Sequence, residues 1–170
     1  MKKVTAVALA MLVTLALTGR PAAASEEQDH AALAKALKEA PLTLQRGLAA
    51  SAKGGKPISA KYEVEDGKLQ LSVYTMKGDK FSEVIVDHKS GKVTKAEVIT
   101  KDDDLKAAKA QSQTMAKAKR SLAAAASDAV KANAGYRAIS VMPSMKDDHA
   151  VAEVTLLKGT DWKTATEKLD

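Results

Sequence analysis

PISAKYEVEDGKLQLSVYTMKGDKFSEVIVDHKSGKVTKAEV, residues 57–98, is the stretch that decides the fold. Ile58, Ala60, Tyr62 and Val64 alternate with Ser59, Lys61, Glu63 and Glu65. A period of two puts one set on each face of a half-buried strand. Asp66-Gly67 follows, a two-residue hairpin signal, because both central positions of such a turn need positive φ. Leu69, Leu71 and Val73 then alternate with Lys68, Gln70 and Ser72. Lys77-Gly78-Asp79-Lys80 is a second turn, and Phe81 to Asp87 a third strand with Val84 and Val86 on one face. Ser90-Gly91 ends it. Three antiparallel strands of this kind have one apolar face, which needs a helix or a second sheet over it.

The helices flank this stretch. Asp29 is placed to cap a short helix through Glu39, after a frayed segment from Ser25 to His30, and Pro41 ends that helix. Thr43 is placed to cap a helix from Leu44 to Ala52, which Gly54-Gly55 stop. After Val98, Asp102-Asp103-Asp104 put three acids at a helix start, where the macrodipole favours them. One long helical pattern then runs from about Leu105 to Asn133. Ala108, Met115, Ala118, Leu122, Ala125, Ala126 and Ala129 lie on one side, with Lys106, Lys109, Lys117, Arg120 and Lys131 opposite.

Beyond Gly135 the order of elements repeats. Tyr136 to Met142 reads as a strand, Pro143 to Asp148 as a turn, Ala150 to Leu157 as a strand and Trp162 to Leu169 as a weaker one. Lys77-Gly78-Asp79-Lys80-Phe81 corresponds to Lys158-Gly159-Thr160-Asp161-Trp162. An internal duplication is therefore expected.

The start of the chain reads as an address. Lys2-Lys3 precede the apolar run Val4 to Leu17, and Ala22-Ala23-Ala24 supply small residues before Ser25. This is the pattern of a cleavable signal peptide, residues 1–24, cut after Ala24, and it places the protein in the periplasm or outside the cell. The whole chain carries a formal charge of +6; without Lys2, Lys3 and Arg20 it falls to +3. With no cysteine, disulfides and thiolate metal sites are excluded.

The first unit resembles a PepSY domain. Leu42-Thr43-Leu44 opening a helix, Gly54-Gly55 closing it and Ala60-Lys61-Tyr62-Glu63 on the first strand carry the likeness. So do Asp66-Gly67-Lys68, Glu83-Val84-Ile85-Val86-Asp87 and Ser90-Gly91-Lys92-Val93, the last with Ser where the family usually has Thr. The second unit is similar in order and lacks that final phrase. The expected fold is α+β, with two tandem PepSY-like units, each a helix packed on a three-stranded antiparallel sheet. Their expected bounds are 43–100 and 121–170, with an N-terminal helical segment at 25–42 and a linking helix at 101–120. The resemblance implies an exported, non-enzymatic module that binds a peptide or protein partner, with a role in regulating or inhibiting a peptidase. It supplies no catalytic residue. Tyr62, Phe81, Val86, Asp87, Gly91 and Trp162 are the motif positions with candidate structural or binding roles.

Other chemistry is thin. The serines sit in no Gly-x-Ser-x-Gly elbow, and no phosphate loop is present. Asp87 is placed to accept hydrogen bonds from the turn at Lys89 and Ser90, a commoner role than general base. Met142, Met145 and His149 offer thioether and imidazole donors that suit Cu(I), against the plainer reading of a strand end and an exposed turn. No metal or cofactor is expected. The lysine side of the long helix suits an anionic membrane surface or an acidic protein. That gives an alternative role as an envelope-associated structural protein, although most such faces are simply solvated. Nucleic acid is not an expected partner, because aromatic stacking residues are scarce and the chain is read as exported. The oligomeric state is left open.

Overall fold

A computed structural model describes residues 22–170, with side chains from residue 29 onward. The expected leader, apart from Ala22 to Ala24, lies outside the described residues. Among them, no helix is long and apolar enough to cross a membrane.

The described residues form an α+β fold, with four helices and one seven-stranded antiparallel sheet. α1 (Ala22–Ala36) runs into a 3-10 turn at Leu37–Glu39, and α2 spans Leu44–Ser51. β1 (Lys56–Glu65), β2 (Lys68–Lys77), β3 (Lys80–Val86) and β4 (Val93–Val98) follow. Then come α3 (Asp102–Lys117), α4 (Leu122–Ala132), β5 (Arg137–Lys146), β6 (His149–Lys158) and β7 (Asp161–Lys168). The sheet order is β4-β3-β2-β1-β5-β6-β7. The two sets of strands do not form separate sheets but join edge to edge through β1 and β5.

The three-strand reading of residues 57–98 held for β1, β2 and β3, and it missed β4. All six residues of β4 are exposed, so no alternation of burial marks it. The long helix between the strand sets is also corrected, because it is broken at residues 118–121. Ser121 Oγ accepts from the Ala124 amide and caps α4. The amides of Lys119 and Arg120 turn away to the carbonyl of Leu169, at 2.6 and 3.0 Å. The N-terminal segment differs too: α1 runs unbroken through Ser25–His30 instead of starting at Asp29. No glycine or proline interrupts residues 22–36, and alanine favours the helix there.

The sheet has a helix layer on each face. Leu71 and Val73 point at α2, while Tyr74, one step out of phase, lies beside Asp104 of α3. Gly47 lets α2 sit directly on the sheet: a Cβ there would fall 2.0 Å from Leu71 Cδ2. α4 packs beside α2, presenting Leu122, Ala125, Ala126 and Ala129, all buried, to β5 and β6.

Several features recur at a fixed spacing. Asp66 and Asp147 (both φ 50), Gly78 and Gly159 (φ 59 and 62), and the bulged Ile58 and Ile139 are each 81 residues apart. Thr43 and Ser121 cap α2 and α4 in the same way. The amide just ahead of each cap is held by the chain after the third strand of its set: Leu42 by the carbonyl of His88, Arg120 by that of Leu169.

The join between the halves is narrow. β1 and β5 are in register only at Ala60–Val141 and Lys61–Ser140. Pro143, expected in a turn, lies inside β5 opposite Ala152. Counting back from the closing pair Lys146–His149, its nitrogen faces away from β6, so proline costs no ladder bond there. Where the strands part, α3 covers the gap. Gln111 accepts from Ser59 Oγ of β1 at 2.8 Å and turns its amide toward Met142 Sδ of β5 at 3.9 Å.

Candidate functional site

The motif residues do not gather at one place. Tyr62, Asp87 and Gly91 meet around Leu42, in the connector before α2. Tyr62 is buried, and its hydroxyl donates to Leu42 O at 2.7 Å. Burial pushes its pKa up to about 12, against the opposing pull of the Arg137 guanidinium. Gly91, at φ 71, passes close to the Leu42 side chain, where a Cβ would lie 3.1 Å from Leu42 Cδ1. Asp87 Oδ1 accepts from Ser90 Oγ, Ser90 N and Lys89 N at 2.7, 2.6 and 3.3 Å. These bonds hold its carboxyl below the usual carboxylate range. Val86 is fully buried. Phe81 and Trp162 lie at corresponding hairpin exits, on one face of the sheet and toward its two opposite edges, Phe81 buried and Trp162 stacked on His30 with ring centroids 4.3 Å apart.

Arg137 belongs to this constellation and was not anticipated. From the start of β5 it donates to the carbonyls of Leu37, Ala40 and Leu42 at 2.9, 2.9 and 3.0 Å. Its guanidinium also lies 5.6 Å from the centroid of the Tyr62 ring. An arginine opening a mainly apolar strand was the only signal in the sequence. The arrangement is a clamp that ties the second half to the connector of the first.

A groove of about 780 Å³ runs between α3 and the end of β5, lined by Ala110, Gln113, Thr114, Pro143, Ser144 and Met145 among others. Its walls are mainly apolar, with amide and hydroxyl groups from Gln111, Gln113, Thr114 and Ser144. Lys117 stands at its margin, and Lys106 and Lys109 continue along the exposed side of α3. Arg120 is not part of this basic stripe; it pairs with Asp128 and donates to Lys168 O. Lys131 is on α4, paired with the same Asp128. The helix break thus divides the basic face expected from the sequence.

Little here points to metal chemistry. Met142 and Met145 are three residues apart on one strand and so face opposite sides of the sheet. His149 Nδ1 is engaged by Asp170 Oδ2 at 2.5 Å. Among the described residues, no three histidine or acidic side chains gather into a metal cluster. Nor does any buried side-chain polar atom there lack a partner.

Residues 30–97 match the family model described as peptidase propeptide and YPEB domain, PepSY. This part of the chain is similar to a PepSY domain. Searches of curated proteins and of solved structures gave no significant match. The PepSY match runs through the Leu42 connector, α2 and the first three strands, and ends inside β4, so it takes in most of the strand missed from the sequence. Arg137 and the groove wall on β5 lie beyond the match.

Proposed function

We propose that the protein is an exported, non-enzymatic binding module that takes an extended segment of a protein partner into the groove between α3 and β5, and that this partner is a peptidase. The observation carrying the reading is the groove itself, apolar along its walls with hydrogen-bonding side chains at intervals. A peptide docked there would bury side chains against Pro143 and Met145 and offer its backbone to Gln113 and Ser144. The PepSY domain, by its description a peptidase propeptide module, supports the choice of partner. The lysines along α3 favour an acidic segment. Tyr62, Val86, Asp87 and Gly91 then act as scaffold, holding the connector and turn that support α2.

The same reading treats residues 43–100 and 121–170 as two copies of one unit. The bulges, turns and caps that repeat along the chain support it, and residues 101–120 become the link that also walls the groove.

A photo-crosslinking amino acid at Gln113, with a control at Lys131 on α4, tests the proposal in the native host. Crosslinking of a peptidase from position 113 and not from 131 is the expected result. Equal labelling from both positions, or none of any peptidase from 113, rejects it.

A further inference from the structure

β4 is an edge strand that pairs with β3 and leaves its other side open. Val93 and Val98 are 45% and 60% exposed, and they are two of the four exposed large hydrophobics among the described residues. An exposed edge with apolar side chains is a template for another strand.

The backbone phase of β4 can be read from its end. The Ile99 amide donates to Phe81 O, so Glu97 and Lys95 turn their backbone groups toward β3. Ala96 and Val98 turn theirs outward. The bulge at Thr94 limits the usable edge to its last residues. Lys95 and Glu97 flank Ala96 and pair with each other at 2.9 Å, both well exposed.

This charge order is self-complementary. Suppose two copies of β4 meet antiparallel about a twofold axis. A register centred on Lys95 sets two lysines opposite each other, and one centred on Glu97 sets two glutamates opposite each other. Like charges in that position repel. Centred on Ala96, the register sets Lys95 opposite Glu97 twice, in the closely spaced non-hydrogen-bonded pairs. Ala96 then pairs with its own copy through the outward backbone groups, and Val98 lies opposite Thr94. The same side chain faces the same way in both copies, so the axis is perpendicular to the sheet.

We propose that β4 is a homodimerisation edge, in which two copies of the chain form one continuous fourteen-stranded sheet centred on Ala96. The charge pattern selects a second copy over an unrelated peptide. The six-residue edge is short, so the dimer is weak and concentration-dependent. The α3–β5 groove is not part of this edge, and the proposal stands or falls independently of the groove's role.

Sedimentation over a concentration series tests it. Lys95→Glu should weaken the dimer by roughly tenfold or more, since it sets like charges opposite each other at two symmetric places. Adding Glu97→Lys should restore it. Ala96→Pro should abolish it with unchanged circular dichroism, because the Ala96 nitrogen faces away from β3. The chain has no cysteine, so a single Ala96→Cys should give a covalent dimer on oxidation. A chain that stays monomeric at hundreds of micromolar overturns the proposal. So does a dimer insensitive to Lys95→Glu and Ala96→Pro, or one that the charge swap fails to restore.

Discussion

Replacing Arg137 with alanine tests how the two halves are held together. The side chain donates to three carbonyls, and these are not left equally exposed when it goes. Leu37 O still accepts from the Ala40 amide at 3.2 Å, and Leu42 O still accepts from Tyr62. Ala40 O has Arg137 as its donor. A hydrogen bond from a charged donor contributes about 1.5–3 kcal/mol, so the full cost falls on one bond and a fraction on the other two. Loss of the guanidinium beside Tyr62 adds about 0.5–1 kcal/mol. The expected destabilisation is about 3 kcal/mol, read as the loss in unfolding free energy from urea titration. For a chain of this size that corresponds to a fall in Tm of roughly 6–12 °C. Arg137→Lys should recover less than half of it, because one ammonium cannot span three carbonyls. Tyr62→Phe should cost more in the Arg137→Ala background than alone, since the two donors share Leu42 O. An Arg137→Ala protein within about 0.5 kcal/mol of the parent, a difference usual for inert surface positions, would refute the clamp. So would full rescue by lysine.

Gly47→Ala should destabilise by up to about 2 kcal/mol net, because overpacking against buried Leu71 costs about 1–3 kcal/mol and alanine's helix propensity returns about 1 kcal/mol; a raised denaturant midpoint would contradict it. Tyr62 is held neutral in the fold, with its pKa raised from 10.0 to about 12. Its contribution is therefore intact below pH 10 and lost as pH rises from 10 to 12, so the parent should lose stability over that range more steeply than Tyr62→Phe in urea titrations. Asp87 has the opposite sign. Its carboxylate is favoured by the fold, so its contribution is present above the ordinary value of 3.8 and lost as pH falls below it. Asp87→Asn should flatten that part of the acid limb, checked by urea midpoints between pH 5 and 2.5.

The strands most legible in the sequence were those with a buried and a wet face, bounded by turns that need unusual φ. β1 and β2 meet both conditions, with Asp66-Gly67 between them. β4 meets neither: it is exposed throughout, and its charges read as loop. The break between α3 and α4 was hidden because alanine is at home on both sides of it. Only Ser121 marked the new start, and the bonds that complete the break come from Leu169, far along the chain. Pro143 was misread as turn because its tolerance depends on where β1 diverges, a tertiary fact. The same limit hid the groove and the clamp. Gln111 and Met142, like Arg137 and Ala40, come together only once the halves have docked, and nothing local to either residue announces the contact.

The narrow join also bears on how the molecule can respond to stress. Two consecutive residues on each strand carry the register between β1 and β5, while every other neighbouring pair runs for five residues or more. Fluctuation should therefore concentrate along that line, with each half turning as a block about it. Anything seated between α3 and β5 sits beside the pivot. Such a guest would work as a splint, stiffening the whole layer from a site that touches a small part of it.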